Sequence, residues 1–116
     1  MKRKGKIISA YDCTLYCSHH IILWNLKEEF SPEEKENIKK GIKEGLEGLE
    51  GKIEGLVEIK VNTEGLSSST ADLMLDSTFL SEEALKFYAS HPLHQEVANT
   101  KVRPFTCTRS CLDFEI

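Results

Sequence analysis

Long apolar runs are missing from this 116-residue chain. No stretch could span a bilayer, and the region after the basic "MKRKGK" start lacks the apolar core of a signal peptide. An excess of positive charge is missing too. The formal net charge is −4 with both signs mixed, and such a surface repels a phosphate backbone. No glycine-rich phosphate loop, dinucleotide fingerprint or nucleophile signature occurs, so nothing calls for a bound nucleotide or a covalent mechanism. Cysteine is sparse: Cys13 with Cys17 and Cys107 with Cys111, neither pair at the spacing of a zinc knuckle. A joint metal site with His19 or His20 competes with a plainer reading. In that reading Cys107 and Cys111 are strand residues, while Cys13 and Cys17 lie in a tail as reduced thiols. The plainer reading is preferred, and neither metal nor cofactor is expected. These absences leave a cytoplasmic protein with no nucleic-acid or membrane partner, long enough for one core and too short for two.

What is present has a clear order. "HHIILWNL", His19 to Leu26, is apolar on both sides and predicts a strand covered on both faces. "SPEEKENIKKGIKEGLEGLEG" opens a helix with Ser31 as N-cap, Pro32 at the first helical position and Glu34 placed for a capping box. Ile38, Ile42, Leu46 and Leu49 form its buried stripe, and Gly41, Gly45 and Gly48 loosen it or let another backbone come close. "LVEIKVN" alternates as a second strand, with Val57, Ile59 and Val61 on one side. "TADLMLDSTF" alternates as a third, paired with the second. "SEEALKFY" starts a second helix at Ser81, and His91 before Pro92 must break it, because the residue preceding a proline avoids helical angles. Pro92 can open another short helix. "PFTCTRSCLDFEI" ends the chain as a strand with Cys107, Arg109, Cys111 and Asp113 opposite Thr106, Thr108, Ser110, Leu112 and Phe114.

Strand, helix, strand, strand, helix, strand is the βαββαβ order of an α+β, ferredoxin-like domain, with helices on one face of a four-stranded antiparallel sheet. Ile21 and Leu23 need cover on the other face, and a second copy of the sheet supplies it. A homodimer through the sheet face is therefore expected, against the alternative of a monomer whose Glu58, Lys60, Asp72 and Asp76 sit in water.

Three segments, "HHIILWNLKEEFSPEEKENIKKGIKEGLEGLEGKIEGL", "ALKFYASHPLHQEV" and the terminal "LDFEI", together resemble the Dabb family of stress-responsive dimeric α/β-barrel proteins. The resemblance runs over residues 19–116 and sets residues 1–18 apart as an extension, disordered or peripheral. It implies a ferredoxin-like subunit that pairs through its open sheet face into a dimeric α/β barrel. It also implies a function, because the family contains stress proteins, proteins of unassigned role and a polyketide cyclase branch, that of olivetolic acid cyclase. The catalytic tyrosine and histidine of that branch fall on Tyr88 and His94, and its first-strand histidine on His20.

Chemistry makes these three residues usable together. A histidine in the first turn of a helix is held neutral by the positive helix end and can act as a base, while a phenol polarises a carbonyl oxygen. Tyr88 and His94 are thus the candidate catalytic residues. His20, His91, Trp24 and Ile22 are candidates for the pocket, with Phe87 as a further apolar wall. The competing structural reading has His91 and His94 capping the broken helix and Tyr88 half-buried with its hydroxyl at the surface. Two functions follow: a small-molecule-binding or stress-linked homodimer of unassigned activity, and alternatively a cofactor-free cyclase-like enzyme acting on a carbonyl, polyketide-like substrate.

Overall fold

The computed structural model describes residues 17–116. Its elements are β1 (Ser18–Leu26), α1 (Pro32–Glu47), β2 (Leu56–Asn62), β3 (Leu73–Phe79), α2 (Glu82–Ser90), α3 (Pro92–Val97), a π-helical turn (Ala98–Val102) and β4 (Thr106–Glu115). The sheet order is β2-β3-β1-β4 and every neighbouring pair is antiparallel. This is the expected ferredoxin-like βαββαβ arrangement.

Local chemistry starts the elements where the sequence indicates. Glu34 N–H donates to Ser31 Oγ at 3.1 Å and Ser31 N–H donates to Glu34 Oε1 at 2.8 Å, which closes the capping box of α1. Ala84 N–H donates to Ser81 Oγ at 3.0 Å at the head of α2. His91 leaves helical angles, with φ −67° and ψ 136°, so it ends α2 and caps α3.

Alternation along β1 sends Ile22, Trp24 and Leu26 under the helices, where they meet Ile42 and Leu46 of α1, Leu85 of α2 and the β2 and β3 residues Ile59, Val61, Leu73 and Leu75. Gly45 is the member of the glycine row that serves a close approach: a Cβ there would stand 3.0 Å from Val97 Cγ1 of α3, whereas one at Gly41 would meet nothing within 4 Å. Gly55 is required differently, by its φ of +90° and by Ala84 Cβ, which a new Cβ would meet at 2.6 Å.

The β2 edge of the sheet is tied off by α1 and the turn after it. Glu47 Oε2 accepts from Val61 N–H at 2.9 Å, Glu50 Oε1 accepts from Ile59 N–H at 3.2 Å, and Lys43 Nζ donates to Val61 O at 2.8 Å. Groups that would otherwise template another strand are thereby occupied. Burial alone would raise the Glu47 carboxyl, but hydrogen bonds from Lys43 and Val61 and the charges of Lys43 and Lys60 outweigh it and hold the group below its ordinary value.

Among the described residues, nothing covers the sheet face away from the helices. Leu23, Leu112 and Phe114 are exposed there at 41%, 63% and 40%, with Ile21 half-buried between them.

β1 begins at Ser18, and Cys17 is fully buried, its carbonyl accepting from Ile116 N–H at 3.5 Å. Ser18 lies opposite Glu115 in the β1–β4 ladder, so the last β4 residues run alongside Cys17 and Ser18. Cys13, with the rest of residues 1–16, lies outside the described residues.

Candidate functional site

The break before Pro92 shapes the site. It sets α3 against α2, so that the His94 ring packs at a tilt of 40° on Tyr88 with ring centroids 4.3 Å apart. His20 faces the helices from β1 and lies 6.4 Å from Tyr88, centroid to centroid. All three line one cavity of about 850 Å³ between the helices and the sheet, and Ile22 and Trp24 contribute its apolar wall.

Tyr88 is 1% exposed, not half-buried, and rests against Phe79 at 4.9 Å. Its hydroxyl is buried and has no hydrogen-bond partner among the described residues. Burial pushes the phenol far above its ordinary value, so it stays a protonated donor. His94 Nδ1–H donates to Ala89 O at 3.1 Å, an arrangement that assigns the acceptor lone pair to Nε2. Burial lowers the His94 pKa and outweighs the opposing Ala89 carbonyl, with help from the charges of Arg103, His20 and Arg109. The neutral ring is as expected but its cause is different. α3 has only six residues, and desolvation, not the helix end, is the first cause.

Two candidates fall outside the cavity. His91 is a capping residue: its Nδ1 accepts from Leu93 N–H at 3.1 Å and its ring meets Phe87 edge-on at 5.4 Å. Phe87 itself is half exposed on the outer side of α2, since its position on the helix points away from the sheet. Gln95, Arg103, Arg109 and Asp113, not candidates from the sequence, also line the cavity, as does Cys111, weighed there only for metal. The alternation of β4 already placed Arg109, Cys111 and Asp113 on one side; what it lacked was the register that sets Asp113 opposite His20. Arg103 comes into place through the π-helical turn, whose closing bond runs from Arg103 N–H to Ala98 O at 2.8 Å.

The profile of the Stress responsive A/B Barrel Domain, Dabb, matches residues 19–116. The chain belongs to the Dabb family. Among solved structures, this Dabb protein is similar to a dimeric protein of unknown function with a ferredoxin-like fold from Bacteroides fragilis. That likeness has 30% identity and a TM-score of 0.80, over 86% of this chain and 96% of the other. A Dabb family protein with a ferredoxin-like fold from Mesorhizobium loti shares the fold at 15% identity and a TM-score of 0.68, over 87% and 97% of the two chains. So does the hydroxynitrile lyase from Passiflora edulis, at 18% identity and a TM-score of 0.66, over 87% and 94%. No curated protein matches the chain in sequence. Among the described residues no helix is long and apolar enough to cross a membrane.

Proposed function

We propose that this Dabb protein is a cytoplasmic homodimer, paired through the open sheet face, whose cavity binds a small carbonyl compound. The observation that carries the ligand reading is the buried Tyr88 hydroxyl, which has no partner among the described residues. Such a group costs roughly 1–3 kcal/mol of lost hydration, and a ligand carbonyl oxygen would supply the missing acceptor. The apolar wall of Ile22 and Trp24 suits the carbon skeleton of that ligand. Dimerisation is supported by the exposed apolar centre of the sheet and by the description of the Bacteroides fragilis relative as dimeric.

A second reading adds catalysis. His94 Nε2, unprotonated and beside Tyr88, can take a proton from the carbon next to a carbonyl while the phenol stabilises the enolate oxygen. The hydroxynitrile lyase shows that this fold hosts an enzyme in at least one protein.

A carbonyl-compound screen by thermal shift, followed by calorimetric titration, tests the binding reading. Tyr88→Phe should weaken a hit by about tenfold, the worth of one hydrogen bond to a buried acceptor. Equal affinity in the variant would remove the phenol from ligand recognition. Solvent deuterium exchange into the bound compound tests the catalytic reading separately. Exchange that persists in His94→Ala would discard His94 as the base.

A further inference from the structure

The far wall of the cavity carries a cluster that the acid–base reading leaves unused. His20 Nδ1 is hydrogen-bonded to Asp113 Oδ1, its direct partner across the β1–β4 ladder. Cys111, two residues earlier on the same face of β4, places Sγ 3.4 Å from Asp113 Oδ1 and 3.8 Å from His20 Nδ1. One nitrogen, one sulfur and one oxygen thus converge from three side chains, all within 4.8 Å of one another. We propose that His20, Cys111 and Asp113 form a binding site for a transition-metal cation of the zinc type, with a fourth position left to water or to a ligand in the cavity.

The geometry favours a metal over the other roles open to these groups. A Cys–His–Asp nucleophile relay needs an imidazole that bridges thiol and carboxylate through its two different nitrogens. Here both groups meet the same atom, Nδ1, so the ring cannot relay a proton between them. A hydrogen-bonded set, with His20 and the Cys111 thiol both meeting Asp113 Oδ1, is the arrangement of the empty site, and a cation would draw all three donors to one point. Around a tetrahedral zinc ion, bond lengths of about 2.0–2.3 Å set S···N and S···O separations near ~3.5 Å. The two sulfur distances already bracket that value. Only the Nδ1–Oδ1 pair has to open, to about 3.3 Å by the same bond lengths, and Asp113 can give, its side chain being 48% exposed.

The donor set selects the cation. Imidazole and thiolate suit zinc, cobalt or iron and disfavour magnesium and calcium, which take oxygen. Two anionic donors balance a divalent charge, and Arg109, on the same face of β4, favours the thiolate. Thiolate and unprotonated imidazole are the forms that bind metal, so metal must displace protons and binding must strengthen with rising pH. This inference departs from the reading preferred on the sequence, in which no metal is expected, and does not depend on the carbonyl-binding reading, since it uses neither Tyr88 nor His94.

The test titrates the full-length protein with cobalt(II) alone under reducing conditions, then displaces it with zinc. One equivalent should produce a sulfur-to-metal charge-transfer band and tetrahedral visible bands, stronger at about pH 8 than at about pH 6. Cys111→Ser should abolish the charge-transfer band, and Asp113→Asn should weaken zinc at least about tenfold, as loss of a first ligand does. Cys107→Ser, outside the cluster, should change neither; unaltered near-ultraviolet circular dichroism confirms that each variant is folded. Absence of the band in the parent protein, or a band that survives Cys111→Ser, overturns the proposal.

Discussion

Tyr88 presents a conflict between stability and recognition at the scale of one residue. Its ring fills the space between Phe79 and His94, while its buried hydroxyl receives no hydrogen bond from the described residues. Tyr88→Phe should therefore leave the ligand-free protein as stable or more stable by up to about 1 kcal/mol in denaturant titration, because an unpaired hydroxyl is removed. Tyr88→Ala should cost about 3–5 kcal/mol through the cavity it opens. A clear destabilisation by Tyr88→Phe would mean that the hydroxyl has a partner in solution. His94 gives a prediction in pH. Its folded pKa lies below its ordinary value of 6.5, so between the two the unfolded chain binds the extra proton. The His94 contribution is complete above about pH 6.5 and is lost as pH falls from there through the folded pKa. His94→Gln should flatten that part of the stability curve, measured by chemical denaturation across mildly acidic pH; an unchanged slope would assign it elsewhere.

At the scale of elements, α1 and its neighbours separate two uses of glycine. Gly41 meets no neighbouring atom, so Gly41→Ala should raise stability by up to about 1 kcal/mol through helix propensity alone. Gly45 faces Val97 of α3 at a distance that leaves no room for a branched chain, and Gly45→Val should lower the melting temperature and displace the short helix that carries His94. Thermal melts of the two variants read the contrast directly, and a Gly45→Val protein as stable as the parent would show that α3 does not need the close approach. Ser31, Pro32 and Glu34 marked the start of α1 in advance and Ile38, Ile42 and Leu46 its inner side, while Leu49 of the expected stripe lies past the helix end at Glu47. The pattern of apolar residues could not tell which glycine mattered, since that depends on where α3 lies after the Pro92 break.

At the scale of the molecule, the open sheet face and the first sixteen residues are the two features to test. Light scattering at micromolar concentration should give about twice the 13.2 kDa chain mass. Leu112→Asp should shift the protein toward monomer, since it sets a charge in the apolar centre of that face. A parent protein that is strictly monomeric would sink the barrel. Deleting residues 1–16 should leave the melting temperature almost unchanged. Extending the deletion through Cys17 should lower it, because that residue is buried at the start of β1.

By itself the sequence determined what depends on neighbours along the chain. Alternation set the strands, capping residues set the helix starts, Pro92 set the break, and the segment around it indicated the family and, with it, Tyr88 and His94. Only the tertiary structure decided what depends on register and direction. Whether His91 or His94 enters the cavity turns on the angle of the chain at the break, and one caps while the other packs on Tyr88. That Cys111 and Asp113 meet His20 turns on the β1–β4 pairing, which joins residues more than ninety positions apart. A one-residue slip of that ladder would send both to the opposite face, and no pattern within a single strand records which partner it will find.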